Sequence, residues 1–298
     1  MAVSFVVMLF VLACPSVSVL GVKNALNICF NTVVPSLFPF FVLAKMFIKS
    51  GGAVYFGRIL SPFIKIMFNV NPNGALPFVL GLISGYPLGA ITVCDLYKKG
   101  DLSKDEAQSL LGFCNNSGPS FLIGAVGLVM MGSVRYGFML YFVHILSSVS
   151  VGVLFRGSIK KKARINDIKI KKEKNAFTKS IEESTEAILS VCAYVVFFGV
   201  IIQYILLFTK NIFVLGFFEM TNALIILCEN QKINMKIKFI IISSLASFSS
   251  LSVIMQTKRI ISKTDLSFKK YVFAKCIQSV FSFVYSVILV NMTFFNWS

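Results

Sequence analysis

Charge is scarce in this chain, and histidine and tryptophan are scarcer still. Charged residues make up 14% of the 298 positions, with one His and one Trp, whereas a typical soluble domain carries roughly a quarter charged residues. That deficit excludes an ordinary water-soluble globule. The single histidine, His144, has no metal-spaced partner, so a histidine metal centre is not expected. The seven cysteines form no C-x-x-C pair and stand singly in apolar segments; they read as small buried hydrophobes rather than a disulfide or zinc framework. No nucleophile–base pair or phosphate loop is present, so an enzyme is not expected, nor is any cofactor. No Lys or Arg precedes Lys23, so the basic start of a secretory signal is missing. Residues 1–22 therefore read as a retained first helix, and Val11-Leu12-Ala13-Cys14 does not read as a lipoprotein site.

What the chain has in abundance is apolar sequence. Hydrophobic residues reach 56%, and mean hydropathy is +0.82. Apolar runs recur at 3–22, 28–48, 75–97, 116–134, 136–155, 186–208, 212–228, 239–256 and 271–292, and roughly 20 residues are needed to cross a hydrocarbon core. The expected fold is all-α: a polytopic integral membrane protein of about eight to ten membrane segments, some broken or re-entrant.

Net charge is +17, and much of it is concentrated in 156–174. A basic block between spans reads as a cytoplasmic loop that also meets anionic headgroups; nucleic-acid binding is not expected. The block divides the chain into 1–155, the loop 156–177, and 178–298, and the two halves look related. Ser84-Gly-Tyr-Pro-Leu-Gly-Ala90 and the Asp101-Leu-Ser turn align at one offset with Phe248-Ser-Ser-Leu-Ser-Val-Ile254 and Asp265-Leu-Ser, placing Thr92 opposite Gln256. Counting spans from a cytoplasmic loop puts 98–104 inside and 258–270 outside, against the positive-inside bias. Either an inverted repeat or a re-entrant segment counted as a span would produce this.

Two polar breaks interrupt the first half. At Ser84, Gly85, Pro87 and Gly89 the glycines permit close approach, and the proline removes a hydrogen-bond donor. At Asn115, Asn116, Ser117 and Ser120, amides and hydroxyls surround a Gly118-Pro119 turn, and the helix that follows offers free N–H groups to an anion. No Lys or Arg lies within either break, so the expected donors are neutral. In the second half Glu219 and Asn222 lie three apart within an apolar run, and an ionisable group at that depth reads as a proton or cation carrier; Gln256 closes another run. Asp95, Asp105 and Glu106 read as a solvated turn before an amphipathic helix near 103–113, and Glu182, Glu183 and Glu186 read as structural residues at a helix start. The pattern fits a transporter of a small anionic or heteroaromatic solute. A membrane scaffold remains the alternative.

Pro35-Ser-Leu-Phe-Pro-Phe-Phe41, Ser84-Gly-Tyr-Pro-Leu-Gly-Ala90, Phe113-Cys-Asn-Asn-Ser-Gly-Pro119 with Gly124-Ala-Val-Gly127, Phe218-Glu-Met-Thr-Asn222 and Leu251-Ser-Val253 with Gln256 occur in order. Together they resemble the sporulation integral membrane protein YlbJ (SpoVV) family, whose members carry nucleoside-recognition Gate domains. The resemblance implies a bacterial membrane, that around the developing spore in particular, and movement of dipicolinic acid, with a nucleoside-like solute as the alternative. Ser249-Ser250 stands where the family tends to have a glycine pair, and Ala223 replaces a glycine.

Overall fold

The computed structural model describes residues 2–160 and 175–292. All regular structure among them is helical, as a medium without water demands of any backbone that is not a closed barrel. Among the described residues five helices are long and apolar enough to cross a bilayer: Pro15–Lys49, Val134–Ser158, Ala176–Ile205, Met235–Ile261 and Phe268–Asn291. The chain is a polytopic integral membrane protein, and Phe30, Leu43, Phe142 and Val280 stand exposed on these helices where lipid covers them.

In chain order the helices are α1 (Ala2–Ala13), α2 (Pro15–Ile28), α3 (Val34–Lys49), α4 (Gly52–Phe68), α5 (Ala75–Ile83), α6 (Leu88–Lys98), α7 (Lys104–Cys114), α8 (Val134–Phe155), α9 (Ala176–Ile205), α10 (Ile212–Phe218), α11 (Met220–Glu229), α12 (Met235–Phe248), α13 (Ser250–Ile261) and α14 (Phe268–Asn291). Cys29–Val33 and Ser120–Met130 are π-helical. The expected separate spans 3–22 and 28–48 are instead α1 followed by one continuous helix, α2–α3. Pro35 cannot supply the donor for the preceding turn, and the wider π turn, closed by Val34 N–H to the Cys29 carbonyl, takes up the mismatch without ending the helix.

Hydrogen bonds show which turns share a membrane face. Asp265 accepts from Tyr97 Oη and Lys104 Nζ, each at 2.7 Å, and Gln108 and Ser267 bond reciprocally. Asn71 donates to Glu106 and to the Asp101 carbonyl, Asn69 to the Arg156 carbonyl, and Lys160 N–H to Asp105. The turns near 70, 100 and 265 therefore lie together at the face where the basic run begins; residues 161–174 of that run are outside the described residues. At the other end Met131, Leu227, Phe239 and Val290 share one apolar cluster with Ile233 and Leu289.

This overturns the placement of 258–270 outside. Two apolar runs reverse direction inside the membrane. α5 and α6 pack side by side and both meet the basic face, with Ser84–Pro87 at their tip. α10 and α11 form the mirrored hairpin from the opposite face, with Glu219 at its tip. α7 with the π segment, and α12 with α13, cross as broken spans. α4 starts and ends at the basic face and turns by 108° into the next helix, so it lies along that face. The order of long helix, hairpin, broken span and helix thus runs twice with opposite sense. In element order the tip at Ser84–Pro87 takes the place in the first half that Glu219 takes in the second, and Asn115–Pro119 the place of Ser249–Ser250.

Other expectations change locally. Glu106 is fully buried rather than solvated; it closes a capping box with Ser103 and accepts the Asn71 N–H at 2.9 Å, so its charge is met by helix-end donors. Cys14 and Cys276 are exposed among apolar surroundings instead of buried. Glu183 pairs with Lys49 at 2.7 Å and Lys45 at 3.4 Å, tying α9 to α3.

Candidate functional site

The first hairpin presses its tip against the α7 break because its glycines allow it. A Cβ on Gly89 would lie 1.9 Å from the Cys114 carbonyl oxygen, and Gly85 has a φ of +70° with the Gly118 backbone against it. Ser249 and Ser250 also hold positive φ, 80° and 50°, a conformation that glycine takes at lower cost. The two breaks meet where Tyr86 Oη bonds Ser249 Oγ.

Asn115 and Asn116 are held by hydrogen bonds to neighbouring helices and line none of the three cavities described below. Asn115 Nδ2 donates to Thr257 Oγ1 and Tyr271 Oη, both at 3.0 Å, and its Oδ1 accepts the Ala90 N–H. Asn116 Nδ2 donates to the Phe113 carbonyl and Ser148 Oγ, and its Oδ1 accepts from Gln278 Nε2 at 3.1 Å. Both amides are spent clamping the unwound segment to α8, α13 and α14. His144 belongs to the same scaffold. Its Nε2 accepts the Ser117 N–H at 3.1 Å, so Nδ1 carries the proton and donates to Ser247 Oγ at 2.9 Å.

Glu219 caps α11 at 1% exposure. Its oxygens accept Thr221 N–H at 3.0 Å and Asn222 N–H and Nδ2–H at 2.7 Å each. An N-terminal cap at membrane depth gives the carboxylate backbone donors in place of a cation.

Around a cavity of about 60 Å³ the structure gathers Ser84, Ser117, Ser120, Glu219 and Gln256, with Tyr86, Thr221 and Ser252, between apolar walls that include Phe41 and Phe121. Ser84 Oγ and Ser120 Oγ are buried there without a hydrogen-bond partner. Gly85, Pro87, Gly89, Asn115, Asn116 and Asn222 lie outside its lining. Gln256 and the residue after Tyr86, Pro87, also border a cavity of about 330 Å³ with Asp95, Lys98, Arg259 and Lys263. Beyond Glu219, its partner Asn222 borders a third, of about 360 Å³, with Asn24, Asn27, Gln203 and Glu229. The central cavity and the one beside Lys98 and Arg259 share Gln256 in their linings. No cluster suited to a metal occurs among the described residues.

Sequence reasoning missed Lys275. It is fully buried, and its Nζ donates to the Asn115 carbonyl at 2.8 Å, so the break without basic residues of its own receives one from α14. The signal was a Lys-x-x-Gln pair, Lys275 and Gln278, inside an apolar run. It was masked by Lys269 and Lys270, which make the region look like a span end.

Residues 30–134 match the family described as Gate, nucleoside recognition. Over 96% of its length, and 81% of the relative's, the chain is 27% identical to the "Sporulation integral membrane protein YlbJ" of Bacillus subtilis (strain 168). No solved structure matches it.

Proposed function

We propose that this integral membrane protein, with its Gate nucleoside-recognition region at 30–134 and its likeness to a sporulation membrane protein, acts in sporulation as a carrier of a small planar heteroaromatic acid of the dipicolinate class. The observation that carries the reading is the pair of partnerless hydroxyls, Ser84 and Ser120, on a central cavity shared with Glu219. Buried polar groups are almost always satisfied, so two orphans on one cavity call for a bound partner.

The wall chemistry suits a solute with two unlike ends. Ser84 and Ser120 offer hydroxyl donors to a carboxylate. Glu219, opposite, is an acceptor and would repel a second full charge, so the solute fits with its far carboxyl protonated. On the basic face Lys98, Arg259 and Lys263 outnumber Asp95 around the outer cavity and concentrate anions at Gln256. A space of about 60 Å³ holds little more than water, so loading requires the hairpin tips to part. A nucleoside is the second reading, favoured by the family description and by Glu219, which could accept from ribose hydroxyls.

The test is radiolabelled dipicolinate uptake into proteoliposomes, with nucleosides and other dicarboxylates as competitors. Ser84→Ala and Ser120→Ala should each lower uptake several-fold while leaving the melting temperature within a few degrees, since each removes a hydroxyl that has no partner to lose. Uptake equal to protein-free vesicles for every solute would refute the carrier reading and favour a scaffold; competition by nucleosides alone would move the assignment to the second solute.

A further inference from the structure

The polar core holds a charged group that the cavity chemistry does not use. Lys275 Nζ reaches the Asn115 carbonyl at 2.8 Å and Gln278 Oε1 at 2.5 Å, and lies 5.5 Å from the centroid of the Tyr86 ring. An ammonium has three protons, and here it meets a backbone carbonyl, an amide oxygen and an aromatic face. All three are neutral groups that attract cations. The carbonyl comes from the residue that ends α7, where the helix dipole places its negative pole. Among the described residues no carboxylate hydrogen-bonds this lysine, so its partners here are neutral dipoles.

Unwound carbonyls at a half-helix C-terminus are also how membrane carriers coordinate a coupling ion. The geometry points to Lys275 as a tethered cation: its ammonium fills a cation site at the α7 break, locking the Asn115 carbonyl, the Tyr86 hairpin tip and α14 together without any free metal ion. The distinction from an ordinary buried lysine is that the vacated donor set should accept a small free cation. Moreover, the parent should need none. The inference stands apart from the identity of the solute, because it concerns the ion that holds the break.

The experiment is thermal unfolding of the full chain in detergent, comparing chloride salts of sodium, potassium, ammonium and N-methylglucamine at equal ionic strength. The parent should melt at the same temperature in all four. Lys275→Ala should melt lower in N-methylglucamine and regain roughly 3–6 °C, saturably, with at least one small cation, as mass action on a vacated site requires. Lys275→Gln, which keeps a donor for Asn115 and refills most of the space, should fold in every salt and respond to none. A folded Lys275→Ala indifferent to all four salts would overturn the proposal. So would a parent stabilised saturably by sodium. Failure to recover Lys275→Ala in any salt while Lys275→Gln folds would overturn it as well, because acceptors fit for a cation would take one from the buffer.

Discussion

Replacing Glu219 tests whether the buried carboxylate is held as the structure has it, by donors from its own helix end. Its Oε1 accepts from Thr221 N–H at 3.0 Å, while Oε2 accepts two donors of Asn222 at 2.7 Å. In Glu219→Gln the one remaining oxygen can keep the Asn222 pair, but the new NH₂ then faces the Thr221 N–H, donor against donor. One buried N–H left unsatisfied costs about 1–3 kcal/mol. Glu219→Ala removes the acceptor from all three donors and the cap from α11, for a total of about 3–5 kcal/mol. For a chain of this size 1 kcal/mol moves the midpoint by a few degrees, so melting temperatures should fall by roughly 5 °C for Gln and 10 °C or more for Ala. Differential scanning fluorimetry of the detergent-purified variants reads both. Because Glu219 also borders the central cavity, Glu219→Gln should lower solute uptake by more than its modest stability loss explains. An alanine variant as stable as the parent, or a glutamine variant that falls equally far, would refute the capping argument.

Three further outcomes follow from the packing and the topology. Gly89→Ala puts a Cβ 1.9 Å from the Cys114 carbonyl oxygen, against an ordinary C···O contact of about 3.3 Å, so the hairpin must retreat; the variant should lose about 1–3 kcal/mol in thermal unfolding, and an unchanged midpoint would show that the tip is not seated there. Cysteines placed at Gly100 and Lys263 should be labelled by an impermeant maleimide from one side of sealed vesicles, and cysteines at Lys210 and Lys232 from the other; labelling of Gly100 and Lys263 from opposite sides would refute the re-entrant hairpins. The Lys104 hydrogen bond holds the Asp265 carboxyl below its ordinary value, so the link between the 99–103 and 262–267 turns is complete above the ordinary carboxylate range and is lost as pH falls through the depressed value; hydrogen exchange in those turns, corrected for intrinsic rates, should quicken only in acid, and Asp265→Asn should abolish that pH step.

Composition alone decided the solvent of this protein, since apolar runs of bilayer length with so few charges have no other stable home. The places where helices must break were equally plain, because Gly85, Pro87 and Gly118-Pro119 act on the backbone they belong to. Direction was not legible. The runs 75–97 and 212–228 have the length of a span, but each folds back at its middle, and hydropathy has the same value whichever way the chain turns. The fate of polar side chains was equally hidden. Asn115 and Asn116 read as ligands because amides at membrane depth need partners, yet the partners are Thr257, Tyr271, Ser148 and Gln278, all distant in sequence. Ser84 and Ser120 have the same kind of chemistry, and only the packing left their hydroxyls without a partner on the cavity. Lys275 illustrates the same division: its charge was visible in the sequence, but the carbonyl, amide and ring that hold it come together only when α7, the first hairpin and α14 pack. Propensity and solvation are local properties of residue types, whereas satisfaction of a buried donor is a property of neighbours, which tertiary structure alone assigns.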